Sequence, residues 1–176
     1  MTQERPLACA APPPPRRRPD VLAAFASDPG MARQGTVTTL AEAEAYVAAL
    51  QERGDLAFAI TDDDRLVGLV GVSVDAVNRV GWFWYWMNAS HRGRRWASLA
   101  ATAVANWALS SGGCERLELG HRADNPLSGN VAGAAGFVHE GRERGKFLID
   151  GQRVDVLTYG RLVSDPWPIA TLEITR

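Results

Sequence analysis

Two short stretches of this 176-residue chain bring together residue types that can do chemistry. The first is His91-Arg92-Gly93-Arg94-Arg95-Trp96-Ala97, a basic, glycine-containing loop that leads into an alanine-rich helix. A loop turning into a helix leaves the first backbone N–H groups without partners, at the positive end of the helix dipole. With Arg92, Arg94 and Arg95 for charge and Gly93 for close approach, that is an anion site suited to phosphate or pyrophosphate. A solvated basic turn is the plainer reading of the same residues. The second stretch is Asn125-Pro126-Leu127-Ser128. Asn before Pro makes an N-cap on a helix that opens with proline, and Ser128 then falls in the first turn. There its hydroxyl is free to bond a local carbonyl or to face a ligand.

The surrounding sequence must position these two stretches. Thr39 and Glu42 have capping-box spacing and open a helix over Leu40 to Arg53, stopped by Gly54. A shorter helix is expected over Val21 to Ala26, with Ser27-Asp28-Pro29-Gly30 as its closing turn. Strands read at Leu56 to Thr61, Leu66 to Val74 and Val80 to Asn88, with Asp62-Asp63-Asp64 as a charged hairpin tip. Next come a helix from Ser98 to Leu109, a strand from Arg116 to Leu119, and a short helix from Pro126 to about Ala135. Phe137 to Glu140, Arg144 to Ile149 and Val154 to Arg161 close the pattern, the last two joined through Asp150-Gly151, a strong hairpin signal. The fold class is α+β, an antiparallel meander followed by β-loop-α-β-α and a hairpin.

Composition narrows the function. Nineteen Lys and Arg balance 20 Asp and Glu to a net charge of −1, which argues against direct nucleic-acid binding. Cys9 and Cys114 lie far apart and the three histidines are scattered, so no zinc spacing appears and reduced thiols are the default. No apolar run reaches the roughly 20 residues of a membrane span, and no signal-peptide core is visible. A cytoplasmic, metal-free protein with no membrane association is the expectation. Pro12 to Pro15 followed by Arg16-Arg17-Arg18 reads as extended linker, so residues 1–20 are set apart from a domain over 21–163 and a tail over 164–176. The segment 1–20 has room for a first strand and loop.

Trp82-Phe83-Trp84-Tyr85-Trp86 is the compositional oddity. Alternation puts the three tryptophans on one face and Phe83 and Tyr85 on the other. Helices covering both faces would make all five core. One row could instead line an acceptor pocket, or form an exposed patch for a homodimer or another protein.

Taken together, Arg92-Gly93-Arg94-x-x-Ala97 and Asn125-x-x-Ser128-x-x-Val131-Ala132-x-x-x-Gly136-Phe137-x-x-Glu140-Gly141 resemble the GNAT superfamily. The nearest resemblance is to the Rim-type enzymes that acetylate N-terminal amines of ribosomal proteins. Ser27-Asp28-Pro29 resembles an early segment of that family, and Asp155-Val156-x-x-Tyr159 its last strand. The resemblance implies an acyl-CoA N-acyltransferase fold, a central mixed, mostly antiparallel sheet flanked by helices. It implies transfer of acetyl from acetyl-CoA, as donor substrate, directly to a primary amine of a protein N-terminus or a small molecule. A catalytically silent acyl-CoA-binding or protein-interaction module is the alternative.

Site roles follow from the same resemblance. The amides of Arg92, Gly93, Arg94, Arg95, Trp96 and Ala97 would hold the pyrophosphate. The strand end at Trp86, Met87 and Asn88 would carry the pantetheine arm, with backbone groups around Met87 polarising the thioester. Asn125 and Ser128 would lie beside the sulfur, and Ser128 would protonate the departing thiolate. Glu118 is the preferred general base, ahead of Asp124, Asp75 and His121. It also reads as a plain surface carboxylate. Some Rim-type members carry a glutamate where Phe147 stands here, so that role does not transfer. The family prefers glycine where this chain has Arg95, and a left-handed backbone at that position would strain an arginine.

Overall fold

The computed structural model describes residues 8–10, 18–53, 55–172 and 174–175. The proline run Pro12 to Pro15, Arg16-Arg17 and the expected stop at Gly54 lie outside the described residues. Strand β1 (Ala8–Ala10) is followed by helix α1 (Arg18–Ala26), which starts three residues before the expected Val21. Proline is tolerated in a first helical turn, so Pro19 does not stop it. Arg18 pairs with Glu44 at 2.6 Å, and Asp20 accepts the Leu66 N–H at 2.9 Å, which fastens that turn. Asp28 then caps a 3-10 helix over Pro29–Gln34. In α2 (Leu40–Glu52) the capping box forms reciprocally. Thr39 Oγ1 accepts the Glu42 N–H at 3.2 Å, and Glu42 Oε2 accepts the Thr39 N–H at 3.0 Å.

The remaining elements are β2 (Leu56–Asp62), β3 (Arg65–Asp75), β4 (Val80–Met87), α3 (Trp96–Ser110), β5 (Arg116–Arg122), α4 (Pro126–Ala134), β6 (Val138–Ile149), β7 (Gln152–Leu162) and β8 (Ile174–Thr175). They build a mixed, mostly antiparallel sheet in the order β6-β7-β5-β4-β3-β2-β1-β8, flanked by the helices. Among the described residues, only β4 with β5 and β1 with β8 run parallel. Asp63-Asp64 and Asp150-Gly151 have positive φ at both central positions, the type I′ geometry whose twist suits a two-residue hairpin.

Other expectations change as well, and β5 runs on to Arg122, past the expected Leu119. The segments Phe137 to Glu140 and Arg144 to Ile149 are one 12-residue strand, β6, with register irregularities at His139/Gly141 and Glu143/Phe147. Extra residues break the alternation without ending the ladder, so the pattern reads as a gap. Helix α3 begins at Trp96, two residues before Ser98, because the basic loop itself supplies its first turn.

Each sheet face carries its own core. Phe58, Ile60, Val70, Val72, Phe83 and Leu117 pack with Ala101, Val104 and Ala108 of α3 and Ala132 of α4. On the opposite face Ala57, Ala59, Leu69 and Trp86 pack with Val21 and Phe25 of α1 and Val47 and Leu50 of α2. The tryptophan row therefore changes character along its length. Trp86 is buried, edge-on to Phe25 and donating to Tyr46 Oη at 3.1 Å, whereas Trp82 is 45% exposed. Helices α1 and α2 cover β2, β3 and the end of β4, and among the described residues the β5–β7–β6 half of that face is left open.

Arg161 is fully buried on the α3/α4 face. It donates to Ala135 O at 2.8 Å and Asn106 Oδ1 at 2.7 Å, joining β7, α3 and the end of α4. Trp167 covers its guanidinium at 5.4 Å, and the Asn106 amide donates to Pro168 O at 2.9 Å. Gly136 ends α4 with φ +80, and a Cβ there would sit 2.9 Å from Pro168. Leu172 and Ile174 pack on the same core before β8 pairs with β1. Among the described residues, no helix is long and apolar enough to cross a membrane, and no His, Cys, Asp and Glu group is placed to hold a metal ion.

Candidate active site

Strands β4 and β5 pair only at Val80–Arg116, Gly81–Leu117 and Trp82–Glu118. Beyond Trp82 they splay, while β5 stays paired with β7 to Arg122 and β4 with β3 to Met87. Asn88 N–H donates to Val67 O at 2.8 Å. By antiparallel alternation, the N–H and C=O groups of Tyr85 and Met87 then point away from β3, into the gap. A parallel pair opened in this way offers strand-like hydrogen bonds to something that is not a strand.

The basic loop closes one end of the gap. Asn88 Oδ1 caps the turn Ala89–His91 through the Ser90 N–H at 3.0 Å, and Ser27 Oγ accepts the Ala89 N–H at 3.0 Å. Arg92 turns back rather than outward. Its Nε donates to Met87 O at 3.3 Å and its guanidinium pairs with Asp28. The Arg94 guanidinium lies 5.1 Å from the Trp96 ring centroid, and Arg95 is exposed. Arg95 is left-handed at φ 63, ψ 1, a conformation costing a non-glycine residue on the order of 1 kcal/mol. It precedes α3 with no side-chain cap, so the Trp96, Ala97 and Ser98 amides are open. At Gly93, φ is +77 and no atom lies within 4 Å of where a Cβ would stand. Open space, uncapped amides and free arginines fit a diphosphate.

The Gly30 N–H and the Arg92 guanidinium hold the Asp28 carboxyl below its usual range. A depressed carboxyl contributes stability above its unfolded pKa, near 3.9, and loses it as pH falls through the folded value. Asp28→Asn is therefore expected to cost up to about 1 kcal/mol at pH 7, as befits a partly exposed pair, and nothing near pH 2. Denaturant titrations at both pH values measure this, and equal costs would show that the Arg92 pair does not fasten the loop.

Helix α4 closes the other side. Asn125 caps it, its Oδ1 accepting the Ser128 N–H at 3.4 Å while its Nδ2 donates to Ser128 Oγ at 3.1 Å. The Ser128 hydroxyl proton has no acceptor among the described residues, so it is available to donate. Tyr85 reaches across from β4 and donates to Ser128 O at 2.8 Å, and burial pushes its phenol up to about 12. His121, buried on β5, has Nδ1 2.8 Å from Arg122 O, and Nε2 lies 3.3 Å from the Tyr159 hydroxyl. The two rings stack at 5.2 Å.

The carboxylates expected near the site are distributed differently. Asp75 caps the turn before β4, accepting from Val77, Asn78 and the Asn78 amide, at the closed end of the strand pair. Asp124 is held by Arg122, which keeps its carboxyl low. Glu118 accepts from Arg116 Nε at 2.8 Å and shares a face with Trp82, opposite the face that carries α4. Arg116 also binds both oxygens of Glu140, which lowers that carboxyl. With Glu143 and Lys146 these residues line a groove of about 290 Å³ over the uncovered sheet. Arg92, Gly93, Arg94, Arg95, Trp96, Ala97, Met87, Asn125 and Ser128 thus frame the gap. Trp86 turns its ring into the α1/α2 core. Tyr85 was placed by alternation, but nothing local signals its reach to α4, 43 residues away.

The chain belongs to the acetyltransferase (GNAT) domain family, whose profile matches residues 12–138. The ribosomal-protein-serine acetyltransferase of Escherichia coli (strain K12) is 32% identical over 108 residues. That stretch is 60% of this chain and 60% of that protein's own length. Among solved structures, RimL, a ribosomal L7/L12 alpha-N-protein acetyltransferase in complex with coenzyme A, superposes with a TM-score of 0.78. It is 21% identical, over 88% of this chain and 92% of that one. A Vibrio cholerae and hSSAT chimera of the spermidine N-acetyltransferase SpeG gives 0.74 at 20% identity, over 91% and 97%.

Proposed function

We propose that this protein transfers acetyl from acetyl-CoA directly to a primary amine, and that its acceptor is the α-amine of a peptide N-terminus. The observation that carries the reading is the β4–β5 gap, bounded by the open amides of α3 and by the free hydroxyl proton of Ser128. The Arg92 N–H donates to Ala89 O at 3.3 Å, so the amides of Gly93 to Ala97 take the pyrophosphate, with Arg94 and Arg95 for charge, and Asn125 contacts the coenzyme near its sulfur. Backbone groups of Tyr85 and Met87 take the pantetheine, those of Trp86 and Asn88 being turned to β3, and the Met87 N–H polarises the thioester oxygen. The amine nitrogen bonds to the carbonyl carbon and the C–S bond breaks. Sulfur leaves with the electron pair and takes the Ser128 proton. The ammonium proton passes through water to Glu118, whose Oε2 is not engaged by Arg116, and Ser128 is reprotonated from solvent.

The groove supports a peptide acceptor over a polyamine. Glu118 and Glu140 share Arg116, and Glu143 holds Lys146 at 2.5 Å, so its carboxylates already have cations. Trp82 adds an apolar surface beside them.

Melting with acetyl-CoA at about 100 times its Kd is expected to raise Tm by about 5–10 °C. Thiol release should then follow a peptide with a free N-terminus, and neither its N-acetylated copy nor spermidine. An unchanged Tm would overturn coenzyme binding. A raised Tm with turnover of spermidine alone would overturn the acceptor.

A further inference from the structure

We infer that Tyr85 is a positioning residue for acetyl transfer, its hydroxyl spanning the open strand gap to hold the backbone of Ser128 where the Ser128 side chain meets the sulfur. The inference rests on the proposed role of Ser128 as proton donor. A serine hydroxyl has no lowered pKa to exploit, so its effect depends on geometry, and a displacement of about 1 Å can cost about 10²-fold in rate. Three side-chain bonds among the described residues fix the first turn of α4, beside the backbone bond from Ser128 N–H to Asn125 O at 3.2 Å. Two come from Asn125, at its own N-cap, and move with the helix. The third comes from Tyr85, on the strand that would carry the thioester, and ties Ser128 O to the opposite wall at 2.8 Å.

The tyrosine is itself well held. It is half-buried against the α3/α4 core and edge-on to Phe83 at 6.3 Å. Its phenol stays protonated throughout the working pH range, so the donor is always present. Packing on β5 fixes the next residue of α4. A Cβ on Gly129 would stand 3.1 Å from His121 Nε2 and 3.5 Å from the Tyr159 hydroxyl. Helix α4 thus rests on β5 through Gly129 and is pinned to β4 through Ser128, at the place where the two strands no longer touch. Tyr85 replaces the missing ladder with a single side-chain bond.

Tyr85→Phe keeps the ring and removes only the hydroxyl. It is expected to lower kcat about 10-fold, to leave the Kd for acetyl-CoA within about twofold, and to shift Tm by no more than about 4 °C. A double-mutant cycle with Ser128→Ala identifies the route: in the Ser128→Ala background, Tyr85→Phe should have no further effect on kcat. Multiplying losses would overturn the inference, as would a fall in Tm without a fall in kcat. A large loss for Ser128→Ala with none for Tyr85→Phe would overturn the inference and spare the proton donor. No loss for Ser128→Ala would remove both.

Discussion

Ser128→Ala is expected to lower kcat about 10²-fold while leaving the Kd for acetyl-CoA within about threefold. The residue is half-exposed, and loss of its hydroxyl costs one exposed bond, from Asn125 Nδ2 at 3.1 Å. Coenzyme contacts proposed for the α3 amides and the β4 strand end remain. A proton donor acts only as the C–S bond breaks, so its removal appears in kcat and kcat/KM alike and not in ground-state binding. General acid catalysis contributes about 10²–10⁴, and a thiolate is a tolerable leaving group, which places this case at the lower end. Pre-steady-state thiol release with saturating acceptor measures the step. Wild-type kcat in the variant would remove Ser128 from the mechanism and leave Asn125 and Ser128 as a helix cap.

The largest expected stability loss lies at the opposite end of α4. Arg161→Ala should cost about 3 kcal/mol or more and lower Tm by about 10 °C. It strands Ala135 O and Asn106 Oδ1 and opens a cavity where a fully buried side chain stood. Burial also lowers the Arg161 pKa, and its Nε finds no partner among the described residues, so the charge itself is not what stabilises. Arg161→Met, which refills most of the volume, should therefore recover part of the loss. Denaturant unfolding of both variants tests this. An alanine variant as stable as wild type would show that the α3–α4–β7 junction does not depend on Arg161, and a methionine variant as poor as alanine would assign the effect to the hydrogen bonds.

Much of the frame was legible because its signals are local. Thr39 and Glu42, three residues apart, carry a complete cap, and Asp150-Gly151 requires the positive φ that a tight hairpin uses. Arg92 shows where locality ends. Read in the loop it is a free cation for a phosphate, yet in the structure it is committed to Asp28, 64 residues earlier, leaving Arg94 and Arg95 as the available charge. In the sequence Glu118 stands out as an acid among apolar residues, and in the structure Arg116, two positions away on the same face, holds it. Strand β6 reads as two segments in the sequence because bulges interrupt the alternation while the ladder to β7 continues.

The sequence by itself determined most of the elements, their order, and which side chains share a face within a strand, since periodicity and capping depend on neighbours a few residues apart. Strand β8 in the tail and the continuity of β6 depend on pairing with distant strands. It could place the tryptophans in one row but not say what lies over them. Only the tertiary structure decided that Trp86 is core and Trp82 is surface, because that depends on how far α1 and α2 reach across the sheet. It also decided that β4 and β5 part after Trp82, and that Tyr85 bridges to Ser128 across the opening. Contacts between distant segments are set by packing of whole elements, and no local pattern encodes them.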